Sequence, residues 1–253
     1  MMATEITQIQ KHLDQLTQQT VELTHEARES YQQYLALLSP AVAQKLILAS
    51  YHLCTQIYPE AFLQLSLNQQ QTLQQKLQHL GQNLEESLTT LLQPLNTFVT
   101  TEEVEPEQLI TLLQDLEQAI LEVLRQISQQ ANQLLQDHQI LEIKSMDLLF
   151  EIASKAAEHG RPITSTPHLI KALVDDEEGL SSTTSGDPVV AIFLQLSDLE
   201  FTDADVMNGR HQLRQLWQKL KSLQESFRQQ QREKTIAEAT AAWRASWFPL
   251  SSE

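Results

Sequence analysis

Glycine, proline, cysteine and aromatic residues are all scarce in this chain of 253 residues: five Gly, eight Pro, one Cys and 6% aromatics. Gly and Pro supply most tight turns, so architectures with many short loops, such as sandwiches, barrels and wound α/β sheets, are not encoded. The single cysteine, Cys54, excludes an internal disulfide framework. No window of about 18 residues is free of polar groups, and the most apolar stretch, Pro40 to Tyr58, is interrupted by Gln44, Lys45, His52 and Gln56. The first residues lack the basic start and apolar run of a secretory signal, so a soluble protein of the cytoplasm is expected. Also missing are the Gly-x-Ser-x-Gly elbow, the Walker A loop, the Gly-x-Gly-x-x-Gly turn, paired cysteines and His-Glu-x-x-His. The expectation is a protein that is not an enzyme and carries no cofactor.

What is present is leucine, glutamine and acid. The chain holds 42 Leu, 35 Gln and 33 Asp+Glu against 17 Lys+Arg, for a formal net charge of -16. Leu, Ile, Val and Phe together number 72, enough to bury a core. The fold class read from this is all-α: long antiparallel helices, bundle- or coiled-coil-like, with a smaller compact helical module.

Four regions are expected. Residues 1–100 form an N-terminal long-helix bundle. Its first helix, Thr4 to Leu38, keeps Ile6, Ile9, Leu13, Leu16, Thr20, Leu23, Ala27, Ser30, Tyr34 and Leu37 in heptad register. Ser39-Pro40 ends that helix and starts a second, buried one to Ile57. A short turn follows, and Asn68 caps a third long helix that Pro94 bends or ends. Residues 106–139 form a heptad-like helix opened by Pro106-Glu107. Residues 140–200 form the compact module: helices Leu141–Glu158, Thr166–Val174 and Val189–Leu199, with a mobile loop from Ser181 to Gly186. Residues 203–248 form a long basic helix.

The sharpest asymmetry is electrostatic. Residues 210–244 carry eight basic and three acidic side chains, hence +5, whereas residues 1–209 sum to -20. All three tryptophans sit on or near this helix. Arg210, Arg214, Trp217, Arg228, Arg232, Trp243 and Trp247 are therefore the candidate partner-binding residues. Such a helix could contact single-stranded nucleic acid or an anionic membrane surface, but the whole molecule repels both, and packing against its own acidic body or an acidic partner fits better. Trp243, Trp247 and Phe248 either staple the C-terminus to the body or form a docking hot spot. Glu22-x-x-His25 has the spacing of a di-iron bundle ligand pair, but there is one copy only.

Two resemblances add to this reading. Residues 148–180, with a Thr/Ser-x-Pro-His-Leu-Ile-x-x-Leu helix start at Thr166 to Leu173 and an acidic turn after it, resemble one repeat of the N-terminal domain of Clp-type chaperones, which implies adaptor or substrate binding. The segments Leu38 to Leu65, Asp187 to Leu199 and Ala242 to Phe248 are similar to uncharacterised Gln/Leu-rich helical proteins of cyanobacteria, which implies no activity. The functional expectation is a non-enzymatic scaffold or adaptor for other proteins, with a homodimer as one form. The alternatives are nucleic-acid or membrane-surface binding through the basic helix, and a bundle that holds a metal or pigment.

Overall fold

A computed structural model describes residues 2–99, 104–142, 168–172 and 189–247. The helices are α1 (Met2–His52), α2 (Pro59–Gln64), α3 (Leu67–Gln82), α4 (Leu84–Thr90), α5 (Gln93–Phe98), α6 (Pro106–Asp137), α7 (Leu196–Thr202) and α8 (Ala204–Trp247). A single π turn, Leu53–Ile57, extends α1, and two short strands, β1 (Leu169–Ala172) and β2 (Val189–Ile192), pair antiparallel. The all-α class holds, with this hairpin as its one addition among the described residues.

The chain divides into two units. The first gathers Met1–Gln33, Leu92–Glu117 and Gly209–Glu253. Its core is a layer of leucines, including Leu13 and Leu23 from α1, Leu109 and Leu113 from α6, and Leu213, Leu216 and Leu220 from α8. The second gathers Tyr34–Leu91 and Gln118–Asn208, with Leu38, Leu46 and Leu53, Leu73 and Leu77, Ile120 and Leu124 buried inside it.

Several local expectations are corrected. Ser39-Pro40 does not end α1; the helix runs through Pro40. A proline inside a helix forfeits one hydrogen bond and strains the preceding turn, at about 3 kcal/mol. Pro40 lies on the exposed side, one turn after exposed Ala36, whose carbonyl water can reach, while Tyr34, Leu35, Leu38, Val42 and Leu46 are buried on the other side. At about 1.5–3 kcal/mol for each large side chain, that burial outweighs the proline. The heptad register also drifts. Burial follows Ala27, Tyr31, Tyr34/Leu35, Leu38, Val42, Leu46, Ala49 and Leu53, and Leu37, placed inside by a strict heptad, is 38% exposed. A straight helix repeats every 3.6 residues, so a heptad stripe slides off its buried face after a few turns.

The stretch Pro40–Ile57 is less buried than its composition suggested, with Ile47, Leu48, Tyr51 and Ile57 exposed. A window of α1 is apolar and long enough to cross a membrane by length and composition, yet half of it is buried within the protein, as in any core helix. The cap of α3 is Ser66, not Asn68: Gln69 Oε1 accepts from Ser66 N at 2.9 Å while Ser66 Oγ accepts from Gln69 N. The long helix expected beyond it is broken into α3, α4 and α5, and Pro94 starts a helix instead of ending one.

The larger correction concerns 140–200. The helix expected over Thr166–Val174 is a strand at its described residues, Leu169–Ala172, so the helix start behind the Clp likeness is not helical there. Val189–Leu199 is a strand followed by α7. The helix expected at Leu141–Glu158 lies outside the described residues beyond Glu142, as does the Ser181–Gly186 loop.

The strand survives here because helix side chains complete its free edge. Asn132 Nδ2 donates to Ile192 O at 2.8 Å and its Oδ1 accepts from Ile192 N at 2.9 Å, so one carboxamide replaces a neighbouring backbone pair. Ser128 Oγ accepts from Leu194 N at 3.0 Å, and Tyr58 Oη accepts from Val190 N at 3.0 Å. The geometry matches: four helical residues rise about 6 Å and two strand residues about 6.6 Å, so Ser128 and Asn132 meet alternate outward-facing positions. An edge that could recruit another strand is thereby closed.

Ahead of β1, His168 adopts a left-handed backbone (φ 63), and neither ring nitrogen of its buried side chain has a hydrogen-bond partner. Burial lowers its pKa, helped by Lys45 and opposed by Asp198. Two predictions follow for the second unit. Asn132→Leu strands the N–H and C=O of Ile192 and lowers unfolding free energy in urea by about 2–4 kcal/mol. Because folding depresses the His168 pKa, the unfolded chain protonates first: stability is full above about pH 6.5 and is lost as pH falls through the unfolded and then the folded value. His168→Asn, which tolerates the left-handed backbone, flattens that part of the urea-midpoint profile relative to wild type.

Candidate functional site

The seven candidate residues lie along α8, and the structure sorts them by helix face. Asp203 caps the helix, its Oδ1 accepting from Asp205 N at 3.0 Å and Val206 N at 3.1 Å. From there Val206, Gly209, Leu213, Leu216, Leu220 and Leu223 form one buried stripe, with Phe227 half-buried at its end. Stripe and helix were both legible in the sequence.

Arg210 and Trp217 turn inward, on either side of the stripe. Arg210 Nη1 reaches Glu117 Oε1 of α6 at 2.6 Å, with both side chains largely covered. Tyr31 Oη of α1 donates to the same Glu117 Oε1 at 2.7 Å and accepts from Trp217 Nε1 at 3.1 Å. One carboxylate oxygen thus collects a guanidinium and a phenol, and the phenol in turn collects an indole. Burial, reinforced by the Glu117 carboxylate, pushes the Tyr31 phenol far above the ordinary tyrosine range, so it stays a donor. Further along, Lys219 Nζ pairs with Glu26 Oε1 at 2.5 Å, and Arg228 Nη2 with Glu107 Oε2 at 2.6 Å. Hydrogen bonds from Gln224 and Arg228 hold the Glu107 carboxyl below the usual carboxylate range. The basic helix therefore packs against acids of α1 and α6.

Arg214, Arg232 and Trp243 lie on the exposed side of α8, Trp243 being 67% exposed. Trp247 is the last residue of α8, and its side chain, like all of Phe248, lies outside the described residues. Trp243 is not the buried staple that one reading of the sequence expected. Ile236, nine residues after Phe227, is 56% exposed. At about 100° per residue, nine residues carry it half a turn away from the buried stripe. Trp243 follows seven residues later, two turns on, which keeps it on that same outer face. Thus α8 carries two apolar stripes in sequence, the first turned inward and the second outward.

The chain matches no protein-family model, no curated protein and no solved structure.

Glu22 and His25 are both exposed on α1, and among the described residues no group of three or more His, Cys, Asp or Glu side chains is arranged to hold a metal ion. Cys54 is buried and its thiol is pushed up to about 11 by burial, which keeps it protonated.

Sequence reading missed Tyr31, Glu117, Glu26 and Glu107. Tyr31 falls off the strict heptad, four residues after Ala27, and a 3.6-residue period would have found it. Nothing in a single chain marks which acids meet which bases. Replacing Glu117 by Gln keeps its shape and leaves the Arg210 charge half-buried opposite a neutral amide. The expected loss is about 2–3 kcal/mol in urea unfolding, with Trp217 fluorescence reporting the released hydrogen-bond chain. A change below about 0.5 kcal/mol would show that the pair is solvated in solution.

Proposed function

We propose that this chain is a non-enzymatic interaction scaffold that recognises another protein through the outer face of the C-terminal turns of α8. The observation that carries this reading is the second stripe: Ile236 and Trp243 stand exposed on the side of the helix opposite the buried leucines. Ile236 and Trp243, at i and i+7, have the spacing of the anchors with which an amphipathic helix lies in a partner's apolar groove. Tryptophan is enriched among the few residues that dominate such interfaces. Arg232, one turn before Ile236, supplies a rim charge that suits an acidic partner and speeds encounter without much affecting the lifetime of the complex.

The ion pairs favour protein over phosphate as the partner. Arg210, Lys219 and Arg228 are engaged by Glu117, Glu26 and Glu107, which removes much of the charge that a nucleic acid or an anionic membrane surface would need.

The test is the paired variant Ile236→Glu, Trp243→Glu, both at exposed sites and expected to change stability by less than about 0.5 kcal/mol. Wild-type protein carrying a tag retains a defined partner at moderate salt and the double variant loses it, with light scattering deciding whether that partner is a second copy. Arg232→Glu slows association and leaves dissociation nearly unchanged. Retention of the same partners by the double variant would refute the assignment of this face. Binding to single-stranded DNA that falls steeply with salt would favour the nucleic-acid reading.

A further inference from the structure

A second feature lies in the second unit, among α1, its π turn, α2 and α3. There α3 runs antiparallel to α1 and approaches it closely at Gly81, where an added Cβ would sit 3.1 Å from Ala43 Cβ. Towards the other end of α3 the two helices enclose a cavity of about 250 Å³ that opens to solvent. The π turn widens α1 at that point: Tyr58 N reaches back five residues to Leu53 O at 2.8 Å, and Pro59 then folds α2 over the gap. Such turns cost helix regularity and occur preferentially where a helix serves a site.

The chemistry of the walls is one-sided. Cys54, Leu73 and Leu77 form a buried floor, and Phe62 closes one side. Of the three hydroxyl side chains that line it, two are occupied by their own helix, Ser50 Oγ donating to Leu46 O and Thr55 Oγ1 to Tyr51 O, each at 2.8 Å, and the third, Tyr51, is exposed. Among the described residues no Asp, Glu, Lys or Arg lines the cavity, and its exposed polar groups are the Tyr51 hydroxyl and the amides of Gln74 and Gln78. We infer that this cavity is a binding site for a small uncharged ligand, an apolar body seated on Cys54, Leu73 and Leu77 with any polar end held by Gln74 and Gln78. A dry apolar cavity of about 150 Å³ accommodates benzene, so 250 Å³ scales to about ten non-hydrogen atoms. A charged group would be desolvated there without a counter-charge and is excluded. An amide both donates and accepts, which suits a neutral hydroxyl, carbonyl or amide at the ligand's end.

Cys54 is the only thiol in the chain, so its labelling reports on this cavity without ambiguity. The experiment titrates the full chain with toluene, n-octanol, hexadecanol and octanoate, reading the thermal midpoint and the rate of Cys54 alkylation by iodoacetamide. Toluene and n-octanol are expected to raise the midpoint saturably and to slow alkylation at least tenfold, with the same half-saturation in both readouts. Hexadecanol, too long for the cavity, and octanoate, charged, leave both unchanged. The filled variant Ser50→Leu abolishes the response; if it does not fold, Thr55→Leu at the less buried wall serves the same purpose. No saturable response to toluene or octanol overturns the site. So does a midpoint shift without Cys54 protection, which places binding elsewhere, and octanoate binding as well as octanol overturns the uncharged class.

Discussion

Three helices from widely separated parts of the chain meet at the Glu117 carboxylate, which receives the Tyr31 hydroxyl at 2.7 Å and the Arg210 guanidinium at 2.6 Å, with Trp217 hydrogen-bonded to Tyr31 behind them. Leucine stripes bring such helices together but specify their rotation and axial register only loosely, because one leucine layer resembles the next. A half-covered ion pair contributes little net stability relative to apolar residues of the same size, since desolvation offsets most of the attraction. Its penalty for misalignment is large, however. A one-residue slip of α8 would leave a guanidinium and a carboxylate covered and apart. The polar chain therefore fixes which face of α8 points inward, and Lys219–Glu26 and Arg228–Glu107 repeat that constraint along the helix at more exposed positions. Which residues remain outside follows from it.

How much of this was legible in the residues differs by element. The stripe of α8 and most of that of α6 could be read directly, because long amphipathic helices carry their period over many turns. Pro40 could not be read as a helix interior: the rule that proline ends helices is local, and the burial that overrides it is tertiary. The strands were missed for a different reason. Val189–Ile192 and Leu169–Ala172 are short apolar runs in which helix and strand look alike, and the deciding partners, Ser128, Asn132 and Tyr58, lie about 60 to 130 residues away. The exposed tryptophan on α8 was identified as a candidate, but its outward orientation follows only once the inner stripe is placed.

The charge asymmetry also acquires a structural meaning. A +5 segment in a chain of net charge -16 invites a reading as a phosphate-binding element. Part of that charge is instead used within the first unit, where Glu26, Glu107 and Glu117 of α1 and α6 draw α8 into place. Acidic and basic segments distant in sequence thus find one another, which assists assembly of helices that must pair across about 90 to 190 residues. In the last turns of α8 the exposed apolar side chains, Ile236 and Trp243, face away from the buried leucines.

The central claim is that α8 is held by its first half and presents its second. Amide hydrogen exchange along α8 in the isolated chain tests this most directly, since exchange reports opening residue by residue. The account predicts strong protection from Leu213 to Leu223 and rapid exchange from about Gln230 to Ser246. Uniform strong protection to the end of the helix in monomeric protein would contradict it, because the outer stripe would then be covered by the protein's own body.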